Sequence, residues 1–446
     1  MNTPDVFDRG RGPLPPLTRR EFMTKAALAG GAIAAPTLIP ASALGKDGAV
    51  APGERIVMAG IGIGGRGSAD LNALLHESEV QVVAVCDVQK TKREAAKGMV
   101  DAKYGNKDCA TYRDLRDMFA ERRDLDAVLI ATGDRWHALA SILAMQAGKD
   151  VYCEKPGTLF IAEGPALVET ACRYGRVFQT GVQRLSEANF IVAGELLRTG
   201  RLGKVHTVYA HLWHAATSTW PRKGDVLPPE PEPDREELDW DLWLGPCPWR
   251  PYNKGYVHGG WHRQPDFATG VAQWGSHTIC QCQVDLGLAD TSPVEYEYPK
   301  SGDAEGLTAH FANGVKLVIT RNGWRGSCGI RYEGTEGWVA VADGYERPDV
   351  STPSLLADFK KLLNDYLART GHRLNHIRDF LHAIRTRRRS IAHEEVAHRT
   401  MTTNHIMDIV MELRRNLTWD PTKEEFVNDP EADRMRSRAL REPWRV

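Results

Sequence analysis

The sequence predicts an α/β chain in two parts: an N-terminal unit built on a parallel sheet with helices between its strands, then an α+β unit carrying an open, mainly antiparallel sheet. Three observations predict it. An apolar run of buried-strand character, Arg55 to Ile61, passes straight into a glycine-rich turn and a helical stretch from Ser68. A second such run, Val80 to Cys86, ends in an acid, Asp87. From Gly203 the pattern changes to period-two alternation, with Val205, Thr207, Tyr209, His211 and Trp213 on one face of a strand. The chain has 446 residues, of which 42% are hydrophobic and 26% charged, enough for two domains with real cores. With 57 basic and 58 acidic residues there is no global basic field, which argues against nucleic acid or an anionic membrane surface as main partner and leaves a small ligand.

The expected organisation is 1–45 as a targeting segment, 50–176 as the first domain, 177–420 as the second and 421–446 as a tail packing on the body. Thr18, Arg19, Arg20, Glu21, Phe22 and Met23, followed by Lys25 and a Gly/Ala-rich apolar stretch to Leu44, form a twin-arginine signal pattern. Pro36 and Pro40 interrupt that stretch, so stable membrane insertion is not expected. Ala41-Ser42-Ala43 resembles a cleavage site, which places the mature chain outside the cytoplasm, delivered by the twin-arginine machinery. Eight cysteines show no small-domain spacing and read as buried free thiols.

In the first domain Gly62, Gly64, Gly65, Arg66 and Gly67 form G-x-G-x-x-G between a strand and a helix, the context in which glycines let backbone approach a pyrophosphate at a helix N-terminus. Gly60, Gly62 and Gly65 match in a second register, so the motif leaves the role of each glycine open. Asp87 lies where an acid takes the ribose hydroxyls of a dinucleotide and favours NAD; Lys90, Lys92 and Arg93 would suit the 2′-phosphate of NADP, which stays open. Leu125 to Ala131 is a third strand, followed by Thr132, Gly133, Asp134 as N-cap, Arg135, Trp136, His137 and a helix to Gly148. Asp150 to Cys153 is a fourth, ending in Glu154, Lys155 and Pro156 at the carboxyl edge where open α/β sheets bind ligands.

With Tyr152-Cys153-Glu154-Lys155-Pro156 in place the chain resembles the Gfo/Idh/MocA oxidoreductases, the superfamily of glucose-fructose oxidoreductase and inositol dehydrogenase. The resemblance runs through Gln179 to Arg184, Asp239 to Trp249, Trp274 to His277 and the terminal Glu442-Pro443-Trp444. It implies a Rossmann domain that holds the nicotinamide cofactor through the glycine loop, Asp87, Thr132, Trp136, His137, Glu154, Lys155 and Gln183, and a second domain whose open sheet walls the site and often mediates homo-oligomers. It implies that Lys155 contacts both the substrate hydroxyl and the nicotinamide ribose. The family's Asp-x-x-x-His appears as Gln273 to His277: the histidine is kept and the aspartate is not. Gln273 then positions substrate without taking a proton, and His277, with an ordinary pKa near ~6.5, is the acid or base. Arg184, Tyr209 and His211 are further substrate-binding candidates, with His262 beside them. His277, Cys280 and Cys282 do not share one helix face, and no metal is assigned.

The implied function is hydride transfer on a sugar, polyol or sugar derivative with a tightly held cofactor, since an exported enzyme has no free NAD pool. The alternative is a redox-neutral glycosidase that transiently oxidises ring carbon 3 and eliminates the glycosidic group; a non-catalytic sugar-binding protein is the third reading, against which Lys155 and His277 argue. Beyond Gly203, the Pro-rich acidic stretch Val226 to Asp241 reads as a surface loop, the runs 307–311, 315–320, 328–332 and 337–341 as strands, and 376–389 and 394–415 as helices, with Arg385 to Arg389 a solvated basic cluster.

Overall fold

A computed structural model describes residues 50–212, 224, 226–321 and 323–445. The twin-arginine pattern and Trp213 lie outside the described residues. Except at the edge strand Ala110–Tyr112, the apolar runs become short parallel strands because they are largely buried on both faces. They are β1 (Ile56–Ile61), β2 (Val80–Cys86), β3 (Ala110–Tyr112), β4 (Ala127–Ile130), β5 (Asp150–Cys153) and β6 (Phe178–Thr180), in the order β3-β2-β1-β4-β5-β6. Every pair is parallel, the doubly wound arrangement of a dinucleotide-binding fold. Because β6 completes this sheet, the parallel layer runs past the boundary expected at 176.

The crossover helices are α1 (Gly65–Leu75), α2 (Lys90–Tyr104), α3 (Leu115–Glu121), α4 (Asp134–Gln146) and α5 (Glu163–Tyr174). Helix α1 starts at Gly65, earlier than the expected Ser68, with Gly64 as its N-cap. One face of the sheet packs Met58, Val82 and Leu129 under Leu71, Leu74 and Val100; the other packs Ile61, Val128 and Val151 under Met118, Leu139 and Leu167.

The second layer begins with α6 (Ala188–Arg198) and β7 (Val205–His211). Helices α7 (Trp240–Leu244), α8 (Lys254–Val257) and α9 (Ala272–Asp285) follow, then strands β8 (Glu295–Glu297), β9 (Thr308–His310), β10 (Lys316–Thr320), β11 (Ile330–Gly334), β12 (Trp338–Val341) and β13 (Asp349–Val350). The chain ends through α10 (Phe359–Thr370), α11 (His376–Thr386), α12 (Glu394–Leu413), β14 (Leu417–Asp420), β15 (Glu425–Phe426) and α13 (Pro430–Arg434). The nine strands order as β13-β12-β11-β7-β10-β9-β8-β14-β15, with β7–β10 the one parallel pair. Val208, Ala210, Leu317 and Ile319 from this sheet pack on Phe190, Ile279 and Val410 of the helices. The alternation of β7 thus holds, with its buried side formed by Val208 and Ala210 rather than by Thr207 and Tyr209.

Two segments recross to the first layer. Helix α11 covers the parallel sheet from below: Ile377, Phe380 and Leu381 join the cluster of Met58 and Val80. Trp444 seats its ring edge-on against Trp136 at 4.9 Å. The basic cluster 385–389 is tied to the body rather than simply solvated: Arg387 Nη1 lies 2.6 Å from Asp150 Oδ2, whose side chain is buried, and Arg385 and Arg389 pair with Glu79 and Glu394. Seven of the eight cysteines are buried and Cys172 is exposed; all are free thiols. Among the described residues no helix is long and apolar enough to cross a membrane.

Candidate active site

The carboxyl ends of β1, β2, β4 and β5 open on a cavity of about 760 Å³. Its glycine turn places the glycines in different surroundings. Gly62 sits in the left-handed region (φ +72°), and a Cβ there would fall 2.4 Å from Thr132 Cγ2. Gly64 and Gly65 line the cavity, and a Cβ on either would meet no protein atom within 4 Å. Gly67 is off the wall; its Cβ would come 2.9 Å from Ala131 Cβ, so it lets α1 pack closely on the β4 edge. The amides at the start of α1 therefore face open space suited to an anion.

Asp87 lies on the wall with Oδ1 accepting the Gln89 amide at 2.9 Å. Burial pushes its carboxyl up to about 6, opposed by the Gln89 amide and by the charges of Arg93 and Lys92. At the far side of the turn Arg66 reaches Asp70 at 2.7 Å and Glu154 at 3.4 Å. Glu154 Oε1 also accepts from Gln183 Nε2 at 2.7 Å, and Gln183 Nε2 reaches Tyr152 Oη at 3.1 Å. Gly181 makes room for this shelf, since a Cβ there would fall 2.3 Å from Glu154 Oε1. Burial, with the Glu154 charge beside it, raises Asp70 to about 7.

The β4–α4 loop departs from expectation at Asp134. Gly133 is the N-cap, and the buried Asp134 carboxylate instead accepts from the Thr269 amide at 2.9 Å and hydroxyl at 3.0 Å, pinning the approach to α9. Thr132, Trp136 and His137 all line the cavity, but two are committed elsewhere: Trp136 Nε1 donates to Leu242 O at 3.0 Å, and the His137 ring nitrogens lie 2.5 and 3.0 Å from Pro156 O and Thr132 O. They hold the loops together and present ring surface to the cavity. Thr132 Oγ1 is buried with no protein partner among the described residues. Open space at Gly64 and Gly65 that a side chain would occupy, an unpartnered Thr132 hydroxyl and an acid at the β2 end fit a bound dinucleotide.

Lys155, His277, Gln273 and Arg184 meet on one wall. Lys155 Nζ donates to Gln273 O at 2.6 Å and lies 5.7 Å from the Trp274 ring centre. Gln273 Nε2 donates to the carbonyls of His262 and Thr269 at 3.1 and 2.9 Å, which leaves Oε1 as its acceptor for a ligand. His277 is buried, and burial first, then the charges of Arg184 and Lys155, hold its imidazole well below the ordinary range. Its Nδ1 is buried without a protein partner among the described residues. Arg184 is neutralised by a two-pronged pair with Asp343 at 2.8 and 2.7 Å.

Tyr209 and His211 are not on the described wall. Tyr209 stays within the sheet opposite Val318 and Arg331, and His211 Nε2 lies 3.0 Å from Arg321 O with its ring stacked on Trp324. A strand in the middle of a sheet spends its side chains on the two sheet faces, which takes both away from the cavity. His262 and Trp261 are on the wall. So are Arg113, which no sequence signal marked, and Arg135, for which no role at the site was expected: Arg135 is buried, donates to Trp243 O at 2.8 Å, lies 3.8 Å over that ring, and is pushed down to about 10 by burial. Cys280 packs with Val182 and Ile391, Cys282 with the large sheet core, so α9 sends them to different cores.

The chain is similar to several known proteins. A "Glycosyl hydrolase family 109 protein" of Stenotrophomonas maltophilia is 26% identical over 387 residues, 78% of this chain and 80% of its own length. An inositol 2-dehydrogenase of Salmonella typhimurium is 30% identical over 161 residues, 35% of this chain and 46% of its own length. Among solved structures, the myo-inositol 2-dehydrogenase of Lactobacillus plantarum superposes with a TM-score of 0.56 at 17% identity, covering 82% of this chain and 99% of that one. The WlbA dehydrogenase of Bordetella pertussis, in complex with NADH and UDP-GlcNAcA, gives 0.58 at 16% identity over 82% and 98%. These likenesses establish the fold. Family models match residues 55–182 as the oxidoreductase family's NAD-binding Rossmann fold and 205–446 as its C-terminal alpha/beta domain, and with the glycine turn, Asp87 and Lys155 in place the chain belongs to the Gfo/Idh/MocA family of NAD-dependent oxidoreductases.

Proposed function

We propose that the chain oxidises a hydroxyl-bearing carbon of a sugar, cyclic polyol or sugar derivative, with NAD kept bound through the cycle. The observation that carries this is the convergence of Lys155, neutral His277 and the Gln273 Oε1 acceptor on one wall beside the glycine turn. NAD supplies the hydride acceptor when bound. Lys155 spends one of its three ammonium hydrogens on Gln273 O and has two left for the oxygen of the reacting hydroxyl. His277, neutral, takes the hydroxyl proton as the carbon gives up hydride. Gln273 Oε1 accepts from a neighbouring hydroxyl and fixes the ring. Trp261 and Trp274 offer apolar faces to a sugar ring. The Arg19-Arg20 pattern supports export before cleavage near Leu44, and an exported enzyme returns the hydride to a second substrate or to the same molecule.

A second reading is favoured by one observation: the match to the family 109 relative spans 80% of that protein, against 46% for the inositol dehydrogenase. Under it the transient ketone acidifies the adjacent C–H, a base on the wall removes that proton, the glycosidic group leaves as the protonated aglycone, water adds across the resulting double bond at the anomeric carbon, and the hydride returns to the ketone. Holoprotein incubated with glycosides and with free sugars, without added NAD, separates the two. Aglycone release without net NADH supports glycoside cleavage; NADH formation only when NAD is supplied supports a dehydrogenase and removes the closed cycle. Fractionation of cells expressing the full chain and its Arg19→Lys/Arg20→Lys variant tests export, which fails as a reading if both distribute alike.

A further inference from the structure

The acidic stretch expected to be a surface loop folds back across the edge of the nucleotide domain. Its segment 234–244 is fixed at two places that flank the cavity. At the β2–α2 loop, Gln89 bridges Leu238, the Lys90 amide donates to Glu237 O at 3.0 Å, and the Asp239 amide donates to Val88 O at 3.2 Å. At the α4 start, Arg135 and Trp136 donate to the carbonyls of Trp243 and Leu242. Leu242 and Trp243 consequently form part of the cavity wall.

Where this segment crosses the acid end of β2 it meets the basic residues that would welcome an extra phosphate. Lys90 Nζ lies 2.7 Å from Glu237 Oε1. Arg113, on the wall, pairs with Glu236 and reaches the buried Asp239 at 3.4 Å. Arg93 spends its guanidinium on the carbonyls of Asp87 and Glu236 at 2.8 and 3.3 Å. Lys92 alone of the three basic residues after Asp87 lines the cavity. The side chains of Glu236 and Glu237 are 72% and 50% exposed, where ion pairs contribute little to folding, so stability does not account for the arrangement.

We propose that Glu236 and Glu237 are specificity residues for the cofactor: by pairing with Arg113 on the wall and Lys90 beside it they leave fewer unpaired cations near Asp87, Lys92 being the one that stays on the wall, and so favour NAD over the 2′-phosphate of NADP. The inference rests on the NAD reading of the cavity. A ribose diol needs only acceptors at this place, whereas a dianionic phosphate needs charge-assisted donors.

The test is titration of the nucleotide-free full chain with NAD and with NADP by calorimetry, for wild type and Glu236→Gln/Glu237→Gln. The double variant is expected to bind NADP about tenfold or more tightly than wild type while NAD affinity stays within about threefold. The gain should shrink at high salt, because the freed cations act through partly exposed charge. Glu237→Gln alone, which keeps the Arg113 pair, should give a smaller shift in the same direction. An unchanged NADP-to-NAD affinity ratio in a double variant that still binds NAD overturns the inference and leaves the NAD reading standing. Wild type that binds neither nucleotide overturns both.

Discussion

Two side chains in the cavity carry charge states that their residue types alone do not dictate. Asp87, raised to about 6 by burial, is protonated below that pH and is then no longer an acceptor of both ribose hydroxyls. Because those hydroxyls favour the carboxylate, NAD should bind more weakly as pH falls through about 6, with a proton released on binding there and none above about pH 7. Calorimetry in buffers of different ionisation heat measures both. His277 is shifted the other way, so loss of the neutral base should not limit turnover between about pH 6 and 8. Lys155→Met removes the ammonium that holds Gln273 O and should cost at least ~100-fold in turnover while nucleotide remains bound; single-turnover kinetics and nucleotide content check the two halves. At this scale the sequence was informative where a cavity-lining residue comes within two positions of a strand's end, as Asp87, Thr132 and Lys155 do. Arg135 and Arg113 were silent because the groups that define them, Trp243 O and the Glu236 carboxylate, lie 108 and 123 residues away.

Among the elements, the glycine turn offers paired predictions from a single methyl group. In Gly67→Ala the new Cβ meets Ala131 Cβ at 2.9 Å and Gly62 O at 3.1 Å, forcing α1 off the β4 edge at a cost of about 1–3 kcal/mol, read by denaturant unfolding. In Gly64→Ala the new Cβ meets no protein atom within 4 Å, so stability should hold while NAD affinity falls, because the methyl occupies space on the cavity wall. The four longer parallel strands were legible because burial on both faces gives unbroken apolar runs. Of the two- and three-residue strands, β9 fell within the expected run 307–311, whereas β3, β6, β8, β13 and β15 were not read: so few residues barely express a period of two, and their pairing partners decide them. Asp134 shows the same limit, since an acid at the start of a helix reads as a cap until Thr269 arrives from elsewhere to claim it.

At the scale of the whole molecule, both layers depend on the chain's return from the second to the first. The Thr180 amide donates to Ala392 O at 2.9 Å, Gln179 Nε2 to His376 O at 2.7 Å, and Ser390 Oγ to Phe178 O at 2.8 Å, so β6 is secured by residues far along the sequence. Trp444, 5% exposed, braces Trp136 edge-on with Arg116 4.6 Å over its ring. Trp444→Ala should lose about 3 kcal/mol, and hydrogen exchange should rise at the start of α4 before it rises in β1 or β4. This recrossing bears on the order in which the protein can be made. During synthesis the strands through β6 leave the ribosome long before Phe380 and Leu381 exist to cover Met58 and Val80. For that interval this face has α1 and α2 on it but lacks the part of its cover that α11 supplies. The cover of the parallel sheet is thus completed only once residues 377–381 have been added.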